Sequence, residues 1–558
     1  MRHLSTVILL SASFVHGAPA LAQDAGDARA RRVDSLFAQY TVANSPGLAL
    51  AVVRDGKVIL QRGYGLADIE HRVPITPATV FDVASVSKQF AGLAVAMLVQ
   101  EGKIKLTDDI RTYLPELPVR EKPITVDHLL HHTSGLRDWP GTLAVAGWRF
   151  DDVISFDQIL RMAFAQRTLN FVPGAEYLYS NTGYNVLTEM VQRVTKQPFR
   201  AWTDERIFRP LRMTDTRFRD DHSAVIANRA FGYARAQDGT FRHVPNALTA
   251  LGSSSMFSTV SDLARWLINF DEGTVGGGGA LSMMRTRGIL NDGSTIPYAF
   301  GIVAGTHRGQ PMFNHSGGWA SFSTYLVHMP AQRFGVVVLA NSGIVNAQNA
   351  AMSIANVYLD GELATATASS SGAAAAATTD VPVAALEAYQ GLYRLGPGWY
   401  TRIKRTGSTL TTQATREDAA PMTARSEREF WVEGYGASMI FHRDSSGRVT
   451  HLEYRGRRAP RVEETVGATA PPLNDYIGEY ESEELATTYR VAVRDGSLEL
   501  RHFRHGTIPL AWLRQEEFGS ATWFLRGVEF QRDGGGRVTG LLVNGDLRSR
   551  DIRFVKRR

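Results

Sequence analysis

An internal repeat in the C-terminal third of the chain constrains its fold more than any other sequence feature. The pattern Leu-x-x-Tyr-x-Gly-x-Tyr begins at Leu386 and again at Leu473. The pattern Phe-x-Arg-Asp-x-x-Gly-Arg-Val-Thr-x-Leu begins at Phe441 and again at Phe530, so the two offsets are 87 and 89 residues. Two matched patterns at nearly the same offset predict two copies of one small domain.

Each copy consists of short strand-like runs separated by Asp-Gly or Ser-Gly turns, with no convincing helical period. A copy of about 85 residues with about eight short strands can close into a small antiparallel barrel, which leaves no unpaired strand edge. We therefore predict two β-barrel (lipocalin-like) domains, at residues 383–465 and 471–558.

The repeat is preceded by a stretch of low complexity. Residues 363–380 are almost entirely Ala, Ser, Thr and Gly and include five consecutive alanines. This composition has no apolar periodicity, so it predicts a flexible linker. The 558 residues of the chain are also too many for a single hydrophobic core. We predict one large domain at residues 30–358, ahead of the linker.

The large domain is predicted to be of mixed α+β type. Strand-like runs at 48–53 and 57–62 flank an Asp-Gly pair, which is a hairpin signal. A helical period runs from Phe90 to Glu101 and stops at Gly102. Further strand-like runs lie near the end of the domain, at 312–313, 321–328 and 333–339. Strands at both ends with helices between them predict an antiparallel sheet flanked by helices.

A hydroxyl and an amine stand three residues apart at the start of this helix, in Ser85-Val86-Ser87-Lys88. Side chains at this spacing share one helical face, so Ser85 and Lys88 can form a hydrogen bond. A neutral lysine can activate a serine hydroxyl for attack on an acyl carbon. Burial and the positive end of the helix dipole would both lower the lysine pKa. Ser85 is the predicted nucleophile, and Lys88 is a candidate base.

Two further motifs follow in order, Tyr179-Ser180-Asn181 and His315-Ser316-Gly317. A tyrosinate held beside a cationic lysine can also shuttle a proton, so Tyr179 is a second candidate base. The residue pattern does not divide the role of base between the lysine and the tyrosine.

In this order and spacing, the three motifs resemble those of the penicillin-recognising serine hydrolases, the superfamily of class C β-lactamases, DD-peptidases and related esterases and aminopeptidases. The similarity extends over residues 30–358, with supporting stretches at 81–84, 129–136 and 336–341. It implies a β-lactamase-like sheet, a helical subdomain that carries the Tyr-x-Asn loop, and an acyl-enzyme mechanism. The order of one hydrolase domain and two barrels resembles bacterial D-aminopeptidases.

The resemblance also implies roles for individual residues. Tyr179 would protonate the leaving group and activate the deacylating water, while Asn181 would orient the catalytic lysine and bind the acyl amide of the substrate. The backbone N–H groups of Ser85 and Gly318 would form the oxyanion hole. Gly317 and Gly318 would allow their strand to approach the substrate closely.

His315 departs from the commonest pattern of this superfamily, in which lysine binds a substrate carboxylate. Histidine is shorter and mostly neutral above pH 7, so it is a weaker anion site. We expect His315 to contact the substrate, but carboxypeptidase or efficient β-lactamase activity is less favoured than aminopeptidase or esterase activity.

Other functions find little support in the sequence. His128, His131 and His132 lack an H-E-x-x-H pattern and matching carboxylates, so we interpret them as helix-end packing and predict no metal and no cofactor. The net charge of +6 is spread along the chain. Arginine-rich runs at 455–461 and 501–504 alternate as strand faces do, so we predict no nucleic-acid partner.

The first 22 residues have a basic start, a short apolar run and a small-x-small site ending at Ala22. These features predict a signal peptide (residues 1–22) and an exported protein, periplasmic or secreted. No other run is long and apolar enough to predict an integral membrane segment. A homodimer is possible.

The leading hypothesis is a serine hydrolase acting on small-molecule or short-peptide substrates with an N-terminal D-amino acid. The alternatives within the superfamily are an esterase and a weak β-lactamase or DD-peptidase, and the non-enzyme alternative is a penicillin-binding sensor module. An α/β-hydrolase is disfavoured because the chain has no G-x-S-x-G. An aminopeptidase needs a carboxylate for the substrate ammonium, and the sequence does not identify it.

Overall fold

The structure is a computed structural model that describes residues 20–41, 44–363, 379–463 and 471–557. Most of the predicted signal peptide (1–19) and of the predicted linker (364–378) lies outside the described residues. The helices of the first domain are α1 Ala20–Phe37, α2 Lys88–Gln100, α3 Val126–Leu130, α4 Trp139–Val145, α5 Phe156–Ala165, α6 Asn181–Thr195, α7 Phe199–Thr203, α8 Val260–Glu272, α9 Gly277–Met284 and α10 Ala347–Tyr358.

The strands of the first domain are β1 Leu48–Arg54, β2 Lys57–Tyr64, β3 Leu66–Asp68, β4 Val73–Pro74, β5 Phe81–Asp82, β6 Arg217–Phe218, β7 Gly232–Arg235, β8 Phe241–Val244, β9 Met256–Ser258, β10 Val303–His307, β11 Gln310–Trp319, β12 Phe322–Met329 and β13 Phe334–Ala340. Six of them form the main sheet, in the order β10-β11-β12-β13-β1-β2, with every neighbouring pair antiparallel. The predicted antiparallel sheet with flanking helices is confirmed. Strand β11 is longer than the predicted run and contains the third motif.

The central strands of the main sheet are buried on both faces, which explains the continuous apolar sequence of β1. Because successive strand side chains point to opposite faces, Ala49 and Ala51 pack into the cluster that contains α2 and α8. Leu48, Leu50 and Val52 pack into a second cluster with α1 and α10. Helix α2 therefore lies in the core, and its first residue, Lys88, is as buried as its apolar residues.

The C-terminal third forms two closed antiparallel barrels of eight strands each, as predicted. The first follows α11 Val383–Tyr389 and consists of β14 Gly391–Gly396, β15 Trp399–Thr406, β16 Thr409–Ala414, β17 Ala420–Ala424, β18 Glu429–Val432, β19 Ala437–Arg443, β20 Val449–Tyr454 and β21 Arg457–Val462. The second follows a 3-10 turn at Leu473–Tyr476 and consists of β22 Gly478–Ser482, β23 Thr487–Arg494, β24 Ser497–His502, β25 Gly506–Arg514, β26 Glu517–Gly519, β27 Gly527–Arg532, β28 Val538–Asn544 and β29 Ile552–Lys556.

The repeated residues close the core of each barrel in the same way. In the first barrel, the Tyr393 hydroxyl donates to the Tyr389 carbonyl oxygen at 2.7 Å, and the Tyr389 ring stacks on Phe441 with centroids 4.1 Å apart. The equivalent distances in the second barrel are 2.7 and 4.2 Å. The first repeat pattern thus begins on a helical turn, although its sequence predicted no helix. Its function is to join that turn to the barrel core.

Across the four described ranges, every helix is too short or too polar to cross a bilayer.

Candidate active site

The candidate nucleophile lies on a tight turn between β5 and α2. A 3-10 helix, Ala84–Ser87, leads directly into α2. Ala84 has φ +47°, a left-handed conformation that residues with a Cβ rarely adopt and that is concentrated at functional sites. The Asp82 carboxylate accepts a hydrogen bond from the Ala84 N–H at 2.8 Å and fixes the turn. Ser85 is left partly exposed beside β11.

The Lys88 amine is buried and has three polar neighbours. Its Nζ lies 3.2 Å from Ser85 Oγ, 2.8 Å from Asn181 Oδ1 and 2.7 Å from the Ser253 carbonyl oxygen. Burial lowers the pKa of Lys88 from its ordinary value to about 7. The structure thus brings together three residues that the sequence assigned to one site, and adds the Ser253 carbonyl.

This arrangement defines the direction of the lysine lone pair. Asn181 Oδ1 and the Ser253 carbonyl oxygen can only accept, so a neutral amine must direct its two N–H groups toward them. The remaining tetrahedral position, the lone pair, then faces Ser85 Oγ. The amine is therefore oriented to receive the serine proton.

The Tyr179 ring also lies beside the amine. Lys88 Nζ is 4.9 Å from the centre of the Tyr179 ring, and the His132 ring packs against the Tyr179 ring with centroids 4.2 Å apart. Burial raises the pKa of Tyr179 above its ordinary value of 10, although an interaction with Ser85 opposes the rise. The Tyr179 side chain is therefore a neutral phenol at neutral pH and has a proton to donate.

Asn181 is held by a carboxylate that the sequence did not indicate. The buried Asp138 accepts hydrogen bonds from the Asn181 backbone N–H at 2.8 Å and from its side-chain Nδ2 at 3.0 Å. Both contacts fix the amide so that Oδ1 points to Lys88. From sequence, Asp138 before Trp139-Pro140 would be taken for a helix N-cap, and it occupies that position without a side-chain capping bond.

Strand β11 passes very close to the nucleophile turn at Gly317. A Cβ on Gly317 would lie 2.2 Å from Thr324 Oγ1, 2.4 Å from the Val83 carbonyl oxygen and 3.1 Å from the Ser85 nitrogen. Within the described residues, the Ser85 N–H has no hydrogen-bond acceptor. Gly318 follows on the same strand, so the two predicted oxyanion donors are adjacent because residue 317 has no side chain.

We expect Gly317→Ala to lower both stability and turnover. The new methyl group would push β11 away from the turn, and such overpacking costs about 1–3 kcal/mol of unfolding free energy. Separated oxyanion donors should reduce kcat by about 10²-fold or more. Urea unfolding and turnover measure the two effects. Gly305→Ala is the matched control, since a Cβ there meets only Met312 Cε at 3.8 Å. Equal behaviour of the two variants would contradict this account.

His315, the predicted substrate contact, is buried and has a protein partner at each ring nitrogen. Its ring is 3% exposed, with Nδ1 2.6 Å from the Ser316 carbonyl oxygen and Nε2 2.8 Å from the Tyr298 hydroxyl. A carbonyl only accepts, so Nδ1 carries the proton and Nε2 accepts from Tyr298. Burial, followed by the Lys88 charge, lowers the pKa of His315 to about 3. The ring is therefore neutral, and both nitrogens already have protein partners.

An aromatic wall borders the site beyond the glycines. Trp319 is two residues after Gly317, so both face the same side of β11. Its ring contacts Trp139 and Phe150 at centroid distances of 5.6 and 5.3 Å, and Phe150 contacts Trp523 of the second barrel at 5.2 Å. A cavity of about 390 Å³ lies next to this wall. Trp148 lines the cavity, whereas Trp139 is buried in the core.

The three histidines that we interpreted as packing residues each have protein partners. His128 completes a capping box with Thr125 at the start of α3. His131 lies between the backbone carbonyls of Asp127 and Thr286. His132 Nδ1 accepts from the Ser180 N–H at 3.1 Å and so positions the loop that carries Tyr179.

The chain belongs to the Beta-lactamase family, whose family model matches residues 33–359, more than half of the chain. The D-aminopeptidase of Gluconobacter oxydans (strain 621H) is 27% identical over 296 residues, which cover 53% of this chain and 56% of the relative. Protein flp of Staphylococcus aureus (strain N315) is 31% identical over 308 residues, 53% of this chain and 59% of the relative. The chain therefore spans less than two thirds of these relatives.

Structural similarity extends further along the chain. The octameric penicillin-binding protein homologue from Pyrococcus abyssi superimposes with a TM-score of 0.55 and 20% identity, covering 86% of this chain and 99% of that one. At this identity the similarity concerns the fold. Membership of the β-lactamase and DD-peptidase superfamily, predicted from the three motifs, is confirmed.

Proposed function

We propose that this protein is a serine hydrolase that forms an acyl-enzyme on Ser85. The observation that carries the proposal is the Lys88 amine, desolvated, held by two acceptors and directed at Ser85 Oγ over 3.2 Å. A sensor or binding module has no need for a lysine whose pKa is lowered to about 7.

In acylation, the neutral Lys88 amine removes the Ser85 proton while Oγ bonds to the carbonyl carbon and the carbonyl electrons move to its oxygen. The N–H groups of Ser85 and Gly318 stabilise that oxyanion. When the adduct collapses, the bond to the leaving group breaks and Tyr179 donates its proton to it. The Lys88 ammonium then reprotonates the tyrosine, which returns the amine to its neutral form.

Deacylation uses the same groups with water as the nucleophile. The water loses a proton to Lys88 as its oxygen bonds to the acyl carbon, and the bond from that carbon to Ser85 Oγ breaks. The serine oxygen recovers a proton from Lys88. Atoms and charges therefore balance without a cofactor.

The substrate class we propose is a small amide or peptide with an N-terminal D-amino acid. Similarity to a D-aminopeptidase supports this class. The neutral, fully engaged His315 also supports it, because an aminopeptidase substrate needs no cation at that position. An uncharged ester is the second candidate, favoured by the aromatic wall around Trp319.

A substrate panel tests this choice. The compounds are D-alanine p-nitroanilide, its L-isomer, an acyl-D-Ala-D-Ala peptide, nitrocefin and p-nitrophenyl acetate. We expect turnover of the D-anilide well above that of its L-isomer and of the two compounds with a free carboxylate. Turnover of the ester alone would remove the aminopeptidase proposal and leave the esterase.

We also expect a rising limb in the pH profile of kcat/KM, with a midpoint near 7. Lys88 must be neutral to accept a proton, so the rate should be low below its pKa of about 7 and reach a plateau above it. Because the pKa of Tyr179 is raised above 10, this residue stays protonated over the measured range and its ionisation does not lower the rate below about pH 10. The profile is measured with p-nitrophenyl acetate, which has no titrating group, after subtraction of buffer hydrolysis. A flat profile from pH 5 to 9 would contradict the assignment of Lys88 as base.

A further inference from the structure

The connection between β28 and β29 in the second barrel, residues 545–551, is docked onto the first domain beside the candidate active site. The Arg548 carbonyl oxygen accepts hydrogen bonds from the Asp138 N–H and from Asn170 Nδ2, both at 2.9 Å. The Arg550 N–H donates to Asn170 Oδ1 at 2.9 Å, and the Arg550 carbonyl oxygen accepts from Arg137 Nε at 2.7 Å. Backbone contacts of this kind fix the position of the loop, which we call the docking loop.

The Arg548 side chain extends from the docking loop to the buried carboxylate of the site. Its NH1 lies 2.9 Å from Asp138 Oδ2, and its Nε lies 3.0 Å from Asp546 Oδ2. The Asp138 side chain has no exposed surface, while that of Arg548 is 35% exposed. A continuous series of polar contacts therefore runs from Arg548 through Asp138 and Asn181 to Lys88.

We propose that Arg548 is a positioning residue of the active site: it keeps Asp138 ionised and paired, so that Asp138 orients Asn181 without acting as the counter-ion of Lys88. The second barrel thereby completes the catalytic site of the first domain. This inference rests on the proposed function, in which Lys88 is the base.

The physical reason is the cost of a buried charge. A buried carboxylate without a partner is strongly disfavoured, and removing one member of a buried pair leaves the other uncompensated. The cation that remains in this series of contacts would then be the Lys88 ammonium, two contacts away through Asn181. Attraction to Asp138 favours that charged form, whereas the Arg548 charge disfavours it.

The other titratable groups around the amine do not compensate. Two tyrosines and two histidines lie around Lys88: Tyr179, Tyr184, His132 and His315. All four are neutral near pH 7, because burial raises the pKa of the tyrosines and lowers that of the histidines. Ser85 is neutral as well. Two charged groups act on Lys88 in opposite directions: Asp138 favours the ammonium and Arg548, which is also paired with Asp546, disfavours it. Burial lowers the pKa of Lys88 most, and the balance between these two charges adjusts how much of the lysine is neutral.

The test compares Arg548→Gln with the wild-type chain, using the rate at which a fluorophosphonate labels Ser85 across pH 5 to 10. This probe requires no knowledge of the natural substrate. We expect labelling at pH 7 to slow about fivefold and the midpoint of the rising limb to move up by about one pH unit. Arg548→Lys retains a cation, so its labelling rate and its midpoint should both lie close to those of the wild-type chain.

Two further variants separate positioning from docking. Arg504→Gln removes another ion pair between the second barrel and the first domain, that of Arg504 with Asp152 at 2.7 Å, and should leave the midpoint unchanged. In an Asp138→Asn background Arg548 has no carboxylate to balance, so Arg548→Gln should shift the midpoint less than it does in the wild-type chain, by its direct repulsion of Lys88 alone. Melting temperatures identify any variant that has lost its fold.

If Arg548→Gln has the same melting temperature as Arg504→Gln and the midpoint of its pH profile is unchanged, the inference is overturned. This holds whatever the labelling rate of Arg548→Gln. A shift that is equally large in the Asp138→Asn background overturns it too. If the wild-type chain is not labelled on Ser85 at all, the proposed function fails, and the inference fails with it. A labelled wild-type chain with an unaffected Arg548→Gln variant removes the inference alone.

Discussion

Ser85→Ala is expected to reduce turnover of every accepted substrate by about 10⁴-fold or more, because the variant has no oxygen to carry the acyl group. The loss should appear in kcat, since groups that bind the substrate remain in place. Stability should change little, because the side chain is small and partly exposed. Initial rates with the substrate panel and the melting temperature measure both effects.

Ser87→Ala is the matched control for this variant. Ser87 belongs to the same motif, but its side chain is buried and its hydroxyl points to the Gly252 carbonyl oxygen at 3.4 Å. We expect this variant to retain turnover within a few-fold of the wild-type chain. Comparable losses in the two variants would mean that the turn had been disturbed and that Ser85 had no special chemical role.

Lys88→Met should reduce kcat by about 10³-fold or more, since proton transfer by a positioned side chain contributes about 10²–10⁴-fold and both steps use this amine. Methionine has a similar length and suits a buried position, so the fold should survive. Initial rates at pH 8, where the wild-type amine is mostly neutral, measure the loss.

Lys88→Arg distinguishes a base from a mere positive charge at the same place. Arginine retains the charge and can donate to Asn181 and Ser253, but it does not lose its proton in proteins. We therefore expect this variant to be as inactive as Lys88→Met. Substantial turnover by a folded Lys88→Arg variant would show that a cation suffices, and would transfer the role of base to another group such as Tyr179.

The parts of this fold that follow from sequence are those with local or repeated signals. The hairpin around Asp55-Gly56 was predictable because both residues have the positive φ that an Asp-Gly turn favours. The barrels were predictable because their core tyrosines and phenylalanines recur at one offset. The proximity of Ser85 and Lys88 needed only the spacing of a helical turn.

The rest of the site depends on contacts between distant segments, which leave no local pattern. The Ser253 carbonyl that fixes Lys88 belongs to the backbone, so no residue type marks it. Asp138 and Arg548 are 410 positions apart and lie in different domains. His315 matched a motif position, but the Tyr298 hydroxyl that occupies its free nitrogen comes from a separate segment.

The most direct test of the central claim is to locate a covalent fluorophosphonate adduct on the intact protein. Trypsin should release the nucleophile in one peptide, residues 73–88, and fragmentation of that peptide distinguishes Ser85 from Ser87. We predict one adduct, on Ser85, that forms faster at pH 8 than at pH 6 and is absent from Ser85→Ala. An adduct on another residue, or one that persists in Ser85→Ala, would contradict the assignment of Ser85 as nucleophile.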